Sequence, residues 1–202
     1  EHPDEQLTYQ KILDGTGRKD LKNADLENAD LSGADLSGTN LKNANLLGAI
    51  LQGAILRGSN LRGANLIDAD LQYADLRGVN LRRADLRFTI LRNADLQGAD
   101  LRGTNLQNAN LRRTSLRLAN LRSADLWNTN LRAADLRDAN LRDAHLLGAN
   151  LQNAYFQNAN LRNTNLRHAD LQHANLQNAN LWGAYLENAN LQNANLEGAN
   201  LE

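Results

Sequence analysis

Residues 21–41, LKNADLENADLSGADLSGTNL, decide the fold: leucine stands at 21, 26, 31, 36 and 41. The spacing of five continues without insertion or deletion to Leu201, and of the 37 positions it defines only Phe156 is not leucine. A period held this long marks a structural repeat. An α-helix advances roughly 100° per residue, so side chains five apart spread around its axis and form no stripe. In a straight strand an odd spacing sends successive leucines to opposite faces. The remaining solution turns the chain once per repeat, so that each leucine points inward again.

Calling each leucine position i, the other four positions say where the chain turns. Position i−2 is Ala except at Thr39, Ser59, Val79, Thr89, Thr104, Thr114, Thr129 and Thr164. Residues two apart on an extended segment share a face, so i−2 and i both point in, and a small residue beside a large one fills a narrow interior. Position i−1 points out and is mainly Asp or Asn. Position i+2 is Gly in 12 repeats and Asn in 12, with Asp68, Asp138 and Asp143 besides; these types tolerate positive φ and tight turns. Each repeat is therefore a three-residue extended side followed by a corner.

The units Ala24-Asp25-Leu26-Glu27-Asn28, Ala34-Asp35-Leu36-Ser37-Gly38 and Ala64-Asn65-Leu66-Ile67-Asp68 resemble the A-(D/N)-L-x-x unit of the pentapeptide-repeat family. That resemblance implies an all-β, right-handed quadrilateral β-helix with four repeats per coil and i and i−2 buried. Handedness and the number four come from the resemblance, not from the period. One independent hint favours a 20-residue coil: at that spacing the i+1 residues Lys22, Lys42, Arg62, Arg82, Arg102, Arg122, Arg142 and Arg162 form one basic column ending at Trp182. With strands ~4.8 Å apart, about nine coils make a rod roughly 43 Å long.

Two segments are expected, a cap over 1–20 and the β-helix over 21–202. In the first, Pro3 and the acids Asp4 and Glu5 suit an opening helical turn, Tyr9, Ile12 and Leu13 share a face, and Gly15 ends the helix. The reading is a short helix over 3–14, then a Gly15-Thr16-Gly17 turn, covering the open edge of the first coil. Lys19 stands where the first small i−2 residue belongs, so that opening side is read as not yet enclosed. At the far end no helix follows Leu201 and Glu202, and an open edge must fray, be repelled by charge or meet a second copy; the expectation is a monomer or a weak end-to-end dimer.

Formal charge is −1, so no bulk pull toward DNA or membrane arises. Cysteine is absent, which removes disulfides and thiolate metal sites. No apolar run approaches the ~20 residues of a membrane span. The first residue is Glu rather than Met, which suggests that an upstream segment was removed: the compartment is cytoplasmic, or periplasmic or thylakoid-lumenal if that segment was a signal peptide.

Irregular positions are the candidate sites. Ile50, Ile55, Ile90, Ser115, His145, Tyr155 and Tyr185 replace Asp or Asn at i−1. On a 20-residue coil, Leu47, Ile50, Ile67, Phe88 and Ile90 come to one corner over three coils, an apolar cluster of the kind that marks a partner surface. The column from Lys22 to Arg162 is a candidate anion-facing row with Asp20 and Asp100 among its neighbours. Elsewhere Asp35, Asp75, Asp95 and Asp135 lie near Arg57, Arg77, Arg117 and Arg137, a charge-balanced surface.

Signals of catalysis are missing. His168 and His173, five apart, fall on adjacent sides of the rod instead of in one metal shell. The aspartates sit on flat sides without a water-excluding pocket, and the glycines punctuate corners instead of preceding a helix. No enzyme activity, cofactor or metal is expected. The reading is a non-catalytic structural or interaction module like the leucine-centred, helix-capped pentapeptide-repeat proteins common in cyanobacteria, with a protein as its partner. The alternative that the resemblance implies is a DNA mimic binding DNA gyrase, as in the quinolone-resistance branch. The resemblance implies that members of that branch are strongly acidic, often Phe-centred and dimeric through a C-terminal element, whereas this chain has a formal charge of −1, one Phe core position and no such element in its sequence.

Overall fold

The computed structural model describes residues 20–202; the helix expected over 3–14, the turn at Gly15 to Gly17 and Lys19 lie outside the described residues. Parallel bridges pair residues 20 apart along the whole rod, from Asp20 with Asn40 to Asn180 with Asn200. Four five-residue units therefore complete each coil, and the rod has four faces. Face 1 carries the bridge residues Asp20, Asn40 and Asn60, face 2 Asp25, Asn45 and Asn65, face 3 Asp30, Ile50, Asp70 and Ile90, and face 4 Asp35, Ile55 and Asp75, each continuing at the same interval.

Coils are joined by three backbone hydrogen bonds per repeat, seen at the first corner: the Leu21 N–H donates to Asn40 (2.7 Å), Asn23 to Lys42 (2.9 Å), and Asn45 back to Ala24 (2.9 Å). A fourth bond, Ala24 N–H to the Leu21 carbonyl (3.0 Å), closes the corner. Every i+2 residue from Asn23 to Gly198 has φ between 54° and 68°, while no i+1 residue takes a positive φ. A positive φ confined to the third residue defines a type II turn. This explains the Gly and Asn at i+2, and makes Tyr73 (φ 60°), Phe88 (φ 60°) and Leu118 (φ 58°) strained exceptions.

The inward assignment of i and i−2 holds. Leu31 to Leu176 and Phe156 are buried at 0–2% exposure. Buried hydroxyls at i−2 are satisfied by main-chain carbonyls: Thr89 Oγ1 donates to Leu86 (2.7 Å) within its own turn, and Thr104 Oγ1 to Leu81 (2.8 Å) one coil back. A leucine core alone does not offset the entropy of ordering so long a chain, so the coil-to-coil ladder is an essential part of stability.

The Asp and Asn at i−1 have a job that the period alone did not reveal. Their Oδ1 accepts the N–H of residue i+1, as Asp20 does from Lys22 (3.2 Å) and Asn130 from Arg132 (3.1 Å). Where Asp or Asn stands at i−1, these Asx turns take up the amide of the repeat that the coil-to-coil and corner bonds leave over. Side-chain amides also stack between coils in places, as Asn45 does on Asp25 (2.9 Å) and Asn65 on Asn45 (3.1 Å).

Leu106→Asp places a carboxylate where exposure is 0%; the loss is about 3–5 kcal/mol, and thermal denaturation followed by circular dichroism should show a melting temperature lowered by many degrees or no folded baseline. Leu118→Asn replaces an exposed apolar residue at a left-handed corner; urea titration should show a gain of about 1 kcal/mol.

Candidate functional site

The basic column from Lys22 to Arg162 runs along the corner between faces 1 and 2, as the 20-residue register requires. It is not a uniform row of free cations. Arg102 grips Asp100 through Nε (2.8 Å) and Nη2 (2.6 Å). Arg122 and Arg142 share Asp143 at 3.7 and 3.3 Å, and Arg162 lies over the Trp182 ring, 4.7 Å from its centroid. Asp143 was read from sequence only as a turn residue at i+2; it reaches Arg142 of its own coil and Arg122 of the one before it. Lys42, Arg62 and Arg82 form no ion pair among the described residues, so the open part of the column is its first half.

The apolar cluster is centred on face 3. Leu47, Ile67 and Phe88 stand on its corner with face 2, and Ile50 and Ile90 lie on the face itself. Ile50 is 40% exposed and Phe88 52%. The two isoleucines do not stack on each other, because Asp70 bridges to both. Asp70 is held by Gln52 (2.6 Å) and by the backbone of Gln72 (3.1 Å). Tyr73, 66% exposed on the opposite corner of face 3, adds an aromatic ring on the far side of Asp70; its signal was an aromatic at a position the repeat gives to Gly or Asn.

Face 4 carries the balanced charge expected of it. Asp75 accepts from Arg77 Nε (2.9 Å) and Nη2 (2.7 Å) and from Arg57 of the preceding coil. The hydrogen bonds from Arg77, reinforced by Arg57, hold the Asp75 carboxyl well below the usual carboxylate range. Asp135 pairs with Arg137 (2.6 Å), and Asp35 accepts from Ser37 Oγ (2.6 Å). His168 and His173 occupy different corners at left-handed positions. Among the described residues no group of His, Cys, Asp or Glu could hold a metal ion, and no helix is long and apolar enough to cross a membrane.

The family described as pentapeptide repeats matches the chain in 8 copies that together span residues 20–202. Among solved structures, HetL from the cyanobacterium Nostoc sp. strain PCC 7120, described as involved in heterocyst differentiation regulation, is 34% identical over 98% of this chain and 96% of its own, with a TM-score of 0.45. QnrB1, described as a plasmid-mediated fluoroquinolone resistance protein, is 18% identical over 86% of this chain and 89% of its own, with a TM-score of 0.50, a likeness of fold. A search of curated proteins found no match.

Because folding lowers the Asp75 pKa, the ionised carboxylate stabilises the fold fully above the unfolded value of about 3.9, and that contribution fades as pH falls below it. Asp75→Asn should therefore lower stability by a constant amount above about pH 5 and by a shrinking amount toward pH 2, a difference readable from urea titrations across that range.

Proposed function

The chain belongs to the pentapeptide-repeat family, folded as its right-handed quadrilateral β-helix, and on that premise we propose that it is a non-catalytic interaction module that presents one face of a rigid rod to a protein partner. The observation that carries this reading is the exposure of Ile50 and Phe88 where the repeat otherwise places Asp, Asn or Gly. Large apolar side chains clustered at exposed positions over neighbouring coils are the kind of surface that marks interaction sites. Arginine and aromatic residues, the types enriched at protein interfaces, surround them.

Residues 1–20 are read as a cap over the first coil. The oligomeric state is read as a monomer or a weak end-to-end dimer. The gyrase-directed DNA mimic is the less favoured reading, since a mimic of the phosphate backbone wants a continuous acidic side, and the Lys22 column gives one corner the opposite sign.

The test compares the immobilised wild-type chain with an Ile50→Lys/Phe88→Lys variant in a pull-down from the source organism. The expected result is one protein retained by the wild type and lost from the variant; identical recoveries would remove the apolar cluster as a partner surface. In a supercoiling assay the chain should leave gyrase activity unchanged.

A further inference from the structure

Face 3 holds more than the apolar cluster. Its corner with face 4 carries Arg92, Arg112 and Arg132 one above another on successive coils, with Arg113 beside Arg112. None of these guanidinium groups has an ion pair or side-chain hydrogen bond among the described residues, in contrast to Arg77, Arg102 and Arg137, which are each clasped by an aspartate. Around Arg112 and Arg113 the chain has no acidic residue between Asp100 and Asp125. The bridge residues beside them on face 3 are the neutral Asn110 and Asn130. On face 4, Asp135 is already taken by Arg137 and Asp95 lies 3.7 Å from Arg77.

The backbone adds a second, independent sign. At left-handed corners the fold prefers Gly or Asn, yet three successive coils border face 3 with Tyr73, Phe88 and Arg113 at φ near 60°. Such strain survives where the side chain serves something other than the fold. The two rings are 66% and 52% exposed, so burial against the core does not account for them. Arg83 and Leu118 show the same strain on other corners, but face 3 combines it with exposed apolar residues on neighbouring coils and with unpaired cations among the described residues.

Resting on the interaction-module reading, we propose that face 3 binds an extended protein segment that carries apolar anchors at one end and a run of carboxylates at the other. The anchors seat on Ile50, Tyr73, Phe88 and Ile90, and the carboxylates meet Arg92, Arg112, Arg113 and Arg132. The geometry suits a chain lying along the rod axis. Coils rise ~4.8 Å and an extended chain ~3.3 Å per residue, so the stretch from Ile50 to Arg132 matches about six residues. Guanidinium forks favour carboxylates through paired hydrogen bonds, and the ladder repeats that fork at each coil. Since the net charge of the whole chain is −1, attraction is local to the arginine ladder rather than a bulk effect, and it weakens as salt screens it.

A random peptide library panned against the full chain supplies the probe, and fluorescence anisotropy of a synthesised winner gives Kd. Winners should join acidic residues to apolar ones. Tyr73→Asn/Phe88→Asn and, separately, Arg112→Glu/Arg113→Asn should each weaken binding about tenfold or more, whereas Arg62→Glu/Arg82→Glu on the other basic column should leave it unchanged. Asparagine is the residue the corner favours, so the Tyr73/Phe88 variant should melt no lower than wild type, which separates lost binding from lost folding. The proposal is overturned by winners without acidic residues, by no winners, or by winners indifferent to the face 3 substitutions. Indifferent winners would leave the interaction-module reading standing. Tighter binding of a labelled single-stranded oligonucleotide, abolished by the same substitutions, would make the face a nucleic-acid surface and overturn the proposal as well.

Discussion

Each coil is tied to its neighbour by hydrogen bonds that form only if the backbone turns at every fifth residue, with the third residue of each turn at positive φ. From Asn23 to Gly198 that condition is met without interruption. If one turn lost its geometry, its leucine would leave the axis and the amides of two coils would lose their partners. The constraint is thus cooperative along the rod. Side chains with no natural place at a left-handed corner are carried because the coils above and below hold the turn.

The same constraint sorts the surface. Asp and Asn at i−1 cap the following turn, as Asp30 does for Ser32 (3.1 Å), so a long run of exposed carboxylates and amides is structural, not a reservoir of sites. Position i+1 is free of backbone duty in its side chain and becomes the place for long polar groups, which pair where an aspartate is in reach and stand free where none is. What remains to distinguish one face from another is a small set of departures: isoleucine at i−1, aromatic or arginine at i+2, and arginine ladders without acids. They concentrate on face 3.

The fold was legible in the sequence because a single number, five, excluded both helix and straight strand, and small residues at i−2 fixed which side faced in. The 20-residue coil was only hinted at by the Lys22 column and is settled by the bridge register. The Asx turns were not legible, since Asp and Asn read equally well as solvated surface. For the candidate site, Leu47, Ile50, Ile67, Phe88 and Ile90 could be grouped from the register, but Tyr73 was passed over although it stands at a position the repeat gives to Gly or Asn, and the Arg92 ladder because its meaning depends on which charges lack partners. The Lys22 column looked uniform in sequence and is divided by Asp100, Asp143 and Trp182, residues that act across coils.

The most direct test of the repeating turn is amide hydrogen exchange resolved by residue. In the body of the rod the N–H groups at i, i+2, i+3 and i+4 are bound to backbone carbonyls, while the N–H at i+1 meets only an exposed or half-exposed Asx side chain. Exchange should therefore show a period of five, with Arg62, Arg122 and their equivalents fast and Leu61, Leu121 and theirs slow. Leucine amides that exchange as fast as the residues following them would contradict the fold described for this chain.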